Sequence, residues 1–240
     1  MINVLKVFDQ KRVEELKEEV CEANLELAVK KLVIYTWGNV SGIDRDAELV
    51  IIKPSGVPYD QLTPDMMVVL DLEGNIIEGD YNPSSDTPTH LELYREFEHI
   101  GGVVHTHSTY ATAWAQAKRK IDCYGTTHSD YFYNEIPCTP ELTPEEISGD
   151  YESNTGKVIV KTMKDKDYIS VPGILVANHG PFTWGADAKM AVHNSVVLEE
   201  LAKMASLTLA INKDVTQIQD VLMDKHYLRK HGKNATYGQK

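Results

Sequence analysis

His105-Thr106-His107 closes a short apolar run, Val103-Val104, in a chain of 240 residues. In an extended strand, residues i and i+2 project from one face. The two imidazoles can therefore converge on one point, as a first-row divalent metal requires. The same pattern also suits two polar residues on a solvated strand face. His179-Gly180 ends a second apolar run at residues 174–178, and glycine there lets the backbone approach a neighbouring site closely. A lone histidine at a strand end is commonly structural. Beside an HxH pair it becomes a candidate third nitrogen ligand, and three histidines with a carboxylate suit Zn²⁺ or a similar ion.

Ser84-Ser85-Asp86-Thr87-Pro88 stands where a helix is predicted to start. Two hydroxyls and free backbone N–H groups at such a place hold an anion or simply cap the helix. Asp86 is open to three readings: cap, metal ligand or proton carrier. Thr36-Trp37-Gly38-Asn39-Val40-Ser41-Gly42 and Lys53-Pro54-Ser55-Gly56 read as two loops with hydroxyl, amide and backbone donors. Turn chemistry accounts for each alone, while Lys53 adds the positive charge a phosphate site uses. GxxxxGK[ST] and GxGxxG are both absent from the sequence. Thr126-Thr127-His128-Ser129-Asp130 lies in a loop-rich stretch, where Asp130 is either a general base or a solvated acid. The stretch from Lys225 to His231, with His226 and Arg229, is basic in an otherwise acidic chain. A positively charged helix end complementing the helix dipole is one reading of it. Tyr237 falls in the last four residues, where disorder is the ordinary expectation.

These residues need elements to position them. Val13, Leu16, Val20, Ala23 and Leu27 predict a helix over 10–30. Short β-rich runs follow at 49–53 and 66–71, with Gly74-Asn75 turning into a return strand at Ile76-Ile77. Thr87 reads as the N-cap of a helix with Pro88 at its first position, running past Phe97 and stopping before Gly101-Gly102. A strand at 103–107 and a helix over 110–120 come next. Residues 121–153 read as loop, 157–162 and 174–178 as strands, 186–212 as a long helix and 216–230 as the last one, ended at Gly232. This order predicts an α/β domain of three layers, α/β/α, with a central, largely antiparallel sheet covered by helices. With no repeat and no linker-like shift in composition, one domain is expected over 1–240.

Composition bounds the partners. Lys plus Arg is 24 and Asp plus Glu 36, a formal charge of −12. That argues against broad contact with nucleic acid or an anionic membrane, and no apolar run reaches the length of a bilayer span. Cys21, Cys123 and Cys138 are odd in number and widely spaced, which fits a reducing compartment. The start of the chain lacks the pattern of a signal peptide. A cytoplasmic protein is expected.

Taken together, TWGNVSG, IKPSGV, PSSDTPTH, GGVVHTHS, GTTHSDYFY, HGPFTWG, HNSVVLEE, DKHYLRKHG and YGQ resemble the L-ribulose-5-phosphate 4-epimerase family, within the class II, metal-dependent aldolase/epimerase superfamily. The resemblance covers residues 13–239; residues 1–12 look like a short N-terminal extension. It implies one divalent metal per subunit, Zn²⁺ first and Mn²⁺ or Co²⁺ as substitutes, held by Asp86, His105, His107 and His179. It implies a substrate and phosphate site at Gly38, Asn39, Ser55, Gly56, Ser84 and Ser85, with Lys53 nearby. Thr126, His226 and Arg229 match positions lining that site. Asp130 and Tyr237 match the acid/base pair, supplied by a neighbouring subunit of a homotetramer. The implied reaction interconverts L-ribulose 5-phosphate and D-xylulose 5-phosphate. Aldolase relatives such as L-fuculose-phosphate aldolase carry Glu after the paired serines, where this chain has Asp86. A sugar-phosphate aldolase and a non-catalytic module like the adducin head are the alternatives.

Overall fold

Seven strands pair into one sheet in the order β4-β3-β2-β1-β5-β7-β6, every pairing antiparallel. This is a computed structural model, and it describes residues 9–233, 235 and 236. In chain order the elements are α1 (Gln10–Val29), β1 (Asn39–Asp44), β2 (Leu49–Ile52), β3 (Val68–Asp71), β4 (Ile76–Glu78), α2 (Thr87–Glu96), β5 (Gly102–His105) and α3 (Thr109–Gln116). They continue with α4 (Thr126–Ser129), α5 (Pro144–Ser148), α6 (Tyr151–Met163), β6 (Gly173–Val176), β7 (Gly180–Gly185), α7 (Ala188–Ile211) and α8 (Asp220–His231). The chain is a single α/β domain.

Both faces of the sheet are covered, and the period-2 geometry of a strand sorts its side chains between two cores. On β5, Val103 joins a core with Leu93 and Tyr94 of α2, Trp114 of α3, Ile159 of α6 and Leu198 of α7. Val104 points the other way, to Val20 of α1 and Val192 of α7. Each such side chain, fully buried, contributes about 1.5–3 kcal/mol by leaving water. Strand β5 lies mid-sheet, with His105 opposite Asn39 of β1 on one side and Phe182 of β7 on the other.

The structure departs from the sequence reading at several elements. Residues 157–162 are not a strand but part of α6, whose Ser153, Gly156, Ile159 and Met163 recur at helical spacing and are buried or packed against α2. A short β-branched run there is ambiguous by itself. Asn39–Asp44 is strand rather than loop, and all but its last residue are buried. Glycine and serine disguise it, because no polar face alternates. Strand β7, bounded by two glycines, is likewise a strand that no pattern announces. The stretch 121–153 holds α4, α5 and the start of α6. Helix α5 opens with a capping box between Thr143 and Glu146. Helix α8 starts at Asp220 rather than near 216. Among the described residues no helix is long and apolar enough to cross a membrane.

Candidate metal centre and active site

The HxH segment outruns its strand: β5 ends at His105, and His107 stands two residues beyond it at an exposed rim. The imidazoles converge all the same, with His105 Nε2 3.0 Å from His107 Nε2. His179 comes from the tight β6–β7 connection, where Asn178 takes a left-handed φ of 64°. Gly180 makes the approach possible, since a Cβ there would lie 2.7 Å from the Thr106 carbonyl oxygen. One nitrogen from each of His105, His107 and His179 fits within a 4.8 Å grouping.

The chemistry of this set fits a divalent metal. His105 Nδ1 donates to the Pro181 carbonyl at 3.0 Å, leaving a lone pair on Nε2. Phe182 stacks on the same ring, centroids 4.2 Å apart, and fixes its plane. Two lone pairs facing each other at 3.0 Å repel unless a proton or a cation lies between them. Burial, reinforced by His105 and His107, lowers His179 and keeps it neutral. Neutral imidazole nitrogens beside a carboxylate are what Zn²⁺-type ions select.

Asp86 supplies that carboxylate. The sequence pattern predicts Thr87 as the helix cap; the structure puts Asp86 in the cap position with Thr87 as first helical residue. The Asp86 side chain makes no cap bond and instead accepts from Asn39 Nδ2 at 2.6 Å. Burial opposes its charge, but His105, His90 and the Asn39 bond outweigh burial and hold the carboxyl below its ordinary value. Asp86 adjoins the histidines electrostatically without joining their close grouping.

A cavity of about 540 Å³ opens over this group, lined by Gly38, Asn39, Lys53, Ser55, Gly56, Ser84, Ser85, Asp86, His107 and His179. Two loops form one wall because they are strapped together. Ser55 N donates to Asn82 O at 2.9 Å and Ser84 N to Lys53 O at 3.1 Å, and Pro54 bridges Pro83. Ser84 Oγ accepts from Asn39 Nδ2 at 3.0 Å. Gly38 has a φ of 95°, and a Cβ on it would meet the His105 carbonyl oxygen at 2.7 Å. Lys53 is buried, and its ammonium donates inward to Pro54 O (3.1 Å) and Val57 O (2.7 Å). It braces the serine loop from behind, and burial pushes its pKa down to about 8. Tyr151 and Glu152 also line the cavity, and neither stands out in the sequence. Tyr151 OH is 3.4 Å from His179 Nδ1.

The remaining predicted residues form a second cluster. Asp130, at the end of α4, accepts two bonds on Oδ1 and one on Oδ2 from Arg229, at 2.9–3.3 Å. His226 Nδ1 lies 3.2 Å from Oδ1 and Lys230 Nζ 3.7 Å from Oδ2. Burial opposes the charge, yet Arg229 and His226 hold the carboxyl below its ordinary value. Thr126 anchors this cluster through its carbonyl, which accepts from Asp130 N at 3.0 Å. Among the described residues, Thr126, Asp130, His226 and Arg229 do not line the histidine cavity. Tyr237 lies outside the described residues.

A family model described as the class II aldolase and adducin N-terminal domain matches residues 18–206. The chain belongs to this family. Solved structures agree in fold. One called L-fuculose 1-phosphate aldolase is 24% identical, covers 88% of this chain and 94% of its own, and has a TM-score of 0.75. An L-fuculose 1-phosphate aldolase from Glaciozyma antarctica is 17% identical over 95% of this chain and 87% of its own, TM-score 0.75. The enzyme of that name from Thermus thermophilus is 22% identical over 85% and 99%, TM-score 0.66. Class II aldolases depend on a divalent metal, and the histidine grouping is where this member would hold one.

Proposed function

We propose that this class II aldolase-family protein is an epimerase interconverting L-ribulose 5-phosphate and D-xylulose 5-phosphate. The observation that carries the reading is the grouping of three histidine nitrogens beside Asp86, under a cavity walled by serine-rich loops. Aspartate rather than glutamate after the paired serines favours epimerase over aldolase.

The chemistry follows from the substrate. C4 of a ketopentose 5-phosphate is not next to the carbonyl, so its hydrogen is not acidic and cannot be exchanged directly. Breaking C3–C4 avoids that barrier. Asp130 or Tyr237 takes the proton of the C4 hydroxyl as the bond breaks and its electron pair stays on the three-carbon fragment. A divalent metal, when bound, supplies the Lewis acid for the charge on that fragment. Asp86, His105, His107 and His179 would hold it: Zn²⁺ by ligand type, with Mn²⁺ or Co²⁺ as substitutes.

Gly38, Asn39, Ser55, Gly56, Ser84 and Ser85 anchor the phosphate of the two-carbon aldehyde, with Lys53 bracing their loop. The anchored aldehyde turns, C3 attacks its other face, and the second of the acid/base pair returns a proton to the C4 oxygen. Acid and base are needed on opposite faces. The assignment takes Asp130 and Tyr237 from a neighbouring subunit of a homotetramer, brought to the cavity of the first, and His226, Arg229 and Thr126, clustered on Asp130, come with it. The unpaired cysteines are in keeping with a cytoplasmic setting.

Metal-loaded protein incubated with L-ribulose 5-phosphate should yield D-xylulose 5-phosphate, and chelator should abolish the yield. No product from metal-loaded protein rejects the reading. The second reading, a sugar-phosphate aldolase, is favoured by the names of the structural neighbours. Free glycolaldehyde phosphate or lactaldehyde, released stoichiometrically, would select it. Protein that holds no metal and turns over neither substrate would point to an adducin-like binding module.

A further inference from the structure

His90 sits one turn along α2 from Asp86, its amide donating to the Asp86 carbonyl at 3.2 Å. Its side chain is completely buried, and its Nδ1 lies 2.7 Å from Ser41 Oγ. Ser41 Oγ is in turn 2.8 Å from Tyr94 OH. Run from Tyr94 O–H to Ser41 Oγ and from Ser41 O–H to His90 Nδ1, this buried chain places the hydrogen of a neutral ring on Nε2.

Among the described residues that Nε2–H is buried with no hydrogen-bond partner, and so is the Oδ1 of Asn39. An orphaned donor in a core costs about 1–3 kcal/mol. Both orphans belong to residues tied to Asp86: Asn39 bonds its carboxylate directly, and the His90 amide donates to its carbonyl. Ser41 and Asn39 are two apart on β1, hence on the same face. Asp86 and His90, four apart at the start of α2, also share one helix face.

We propose that His90 is a positioning residue for the metal centre: its Nε2–H donates to the Asp86 carboxylate, directly or through one trapped water, when that carboxylate serves the metal. Tyr94 and Ser41 set the tautomer that makes the bond possible. Such partners of ligating carboxylates tune affinity by about 10–100-fold. The inference rests on the metal-centre reading above and adds a residue to it.

The test is titration of the purified full chain with Co²⁺ alone, following its visible absorption, for wild type, His90→Phe, His90→Gln and Ser41→Ala. His90→Phe removes the donor and should weaken Co²⁺ about 10–100-fold with an altered spectrum. His90→Gln keeps an N–H near the Nε2 position and should recover much of the affinity. Ser41→Ala leaves the ring in place but frees its tautomer, and should fall between the two; it also serves if His90→Phe does not fold. Wild-type affinity and spectrum in folded His90→Phe or in Ser41→Ala, with only melting temperature reduced, would overturn the role of His90 while sparing the metal centre. Wild-type protein that takes up no Co²⁺ would overturn the centre and this role together.

Discussion

The cavity around His105 and the cluster around Asp130 treat buried polar groups in opposite ways. At the cavity, Asn39 Oδ1, His90 Nε2 and Thr106 Oγ1 are buried without partners among the described residues, and two imidazole nitrogens face each other at 3.0 Å. At the cluster, one carboxylate receives Arg229, His226 and Lys230, its charge matched several times over. Polar atoms left unsatisfied in a core cost stability unless a ligand completes them. A saturated carboxylate asks for nothing further from its own chain. The contrast teaches that the first region, with three histidine nitrogens grouped in it, is left open for a ligand, and that the second is complete within its own chain.

The comparison breaks first at the cation. His105→Ala or His107→Ala should abolish both bound metal and turnover, read by metal analysis and the epimerase assay; metal retained at wild-type level would contradict the site. Asp130→Asn should keep the metal and lower kcat by about 10²–10⁴-fold, the usual worth of a general acid or base. Loss of metal in that variant would mean the two regions are not separable.

Arg229→Ala tests the saturated carboxylate. The pairing holds Asp130 below its ordinary value of 3.8, so it stabilises the fold above that value and ceases to do so as pH falls through the depressed one. Arg229 is part-exposed, so the variant should lose about 1 kcal/mol at neutral pH. Melting curves of variant and wild type should converge as pH falls below 3.8 through the depressed value. The last effect concerns Lys53. With its pKa at about 8, the ammonium is charged below that value and neutral above it. Burying the charge costs the fold, and the cost is relieved from about 8 towards the ordinary 10.5. Stability should therefore rise with pH in that window while affinity for inorganic phosphate falls. Lys53→Met should flatten both profiles.

The residues of chemistry are more legible in the sequence than the frame that holds them. HxH, the histidine-glycine pair and the serine pair show in the chain because ligands and anion loops need fixed residue types at fixed spacing. Strands β1 and β7 do not show, because a strand buried on both faces and rich in glycine carries no alternation. Asp86 stands one position off its expected place relative to the helix, since a cap and a site carboxylate look alike until the Asn39 bond is seen. His90 reads as helix interior, although its spacing of four from Asp86 puts both on one face. Tyr151 and Glu152 fall in a stretch that reads as loop, where the capping box at Thr143 and Glu146 and the recurrence of Ser153, Gly156, Ile159 and Met163 are the available signals.

The central claim is that the two regions form one active site between neighbouring copies. Mixing His107→Ala and Asp130→Asn subunits, each inactive alone, tests it directly after unfolding and joint refolding or co-expression. The mixture should regain epimerase activity, up to about a quarter of wild type for random pairing in a homotetramer, because some cavities then meet an intact Asp130 from next door. A mixture as inactive as its parents, with hybrid assemblies demonstrably formed, would contradict it.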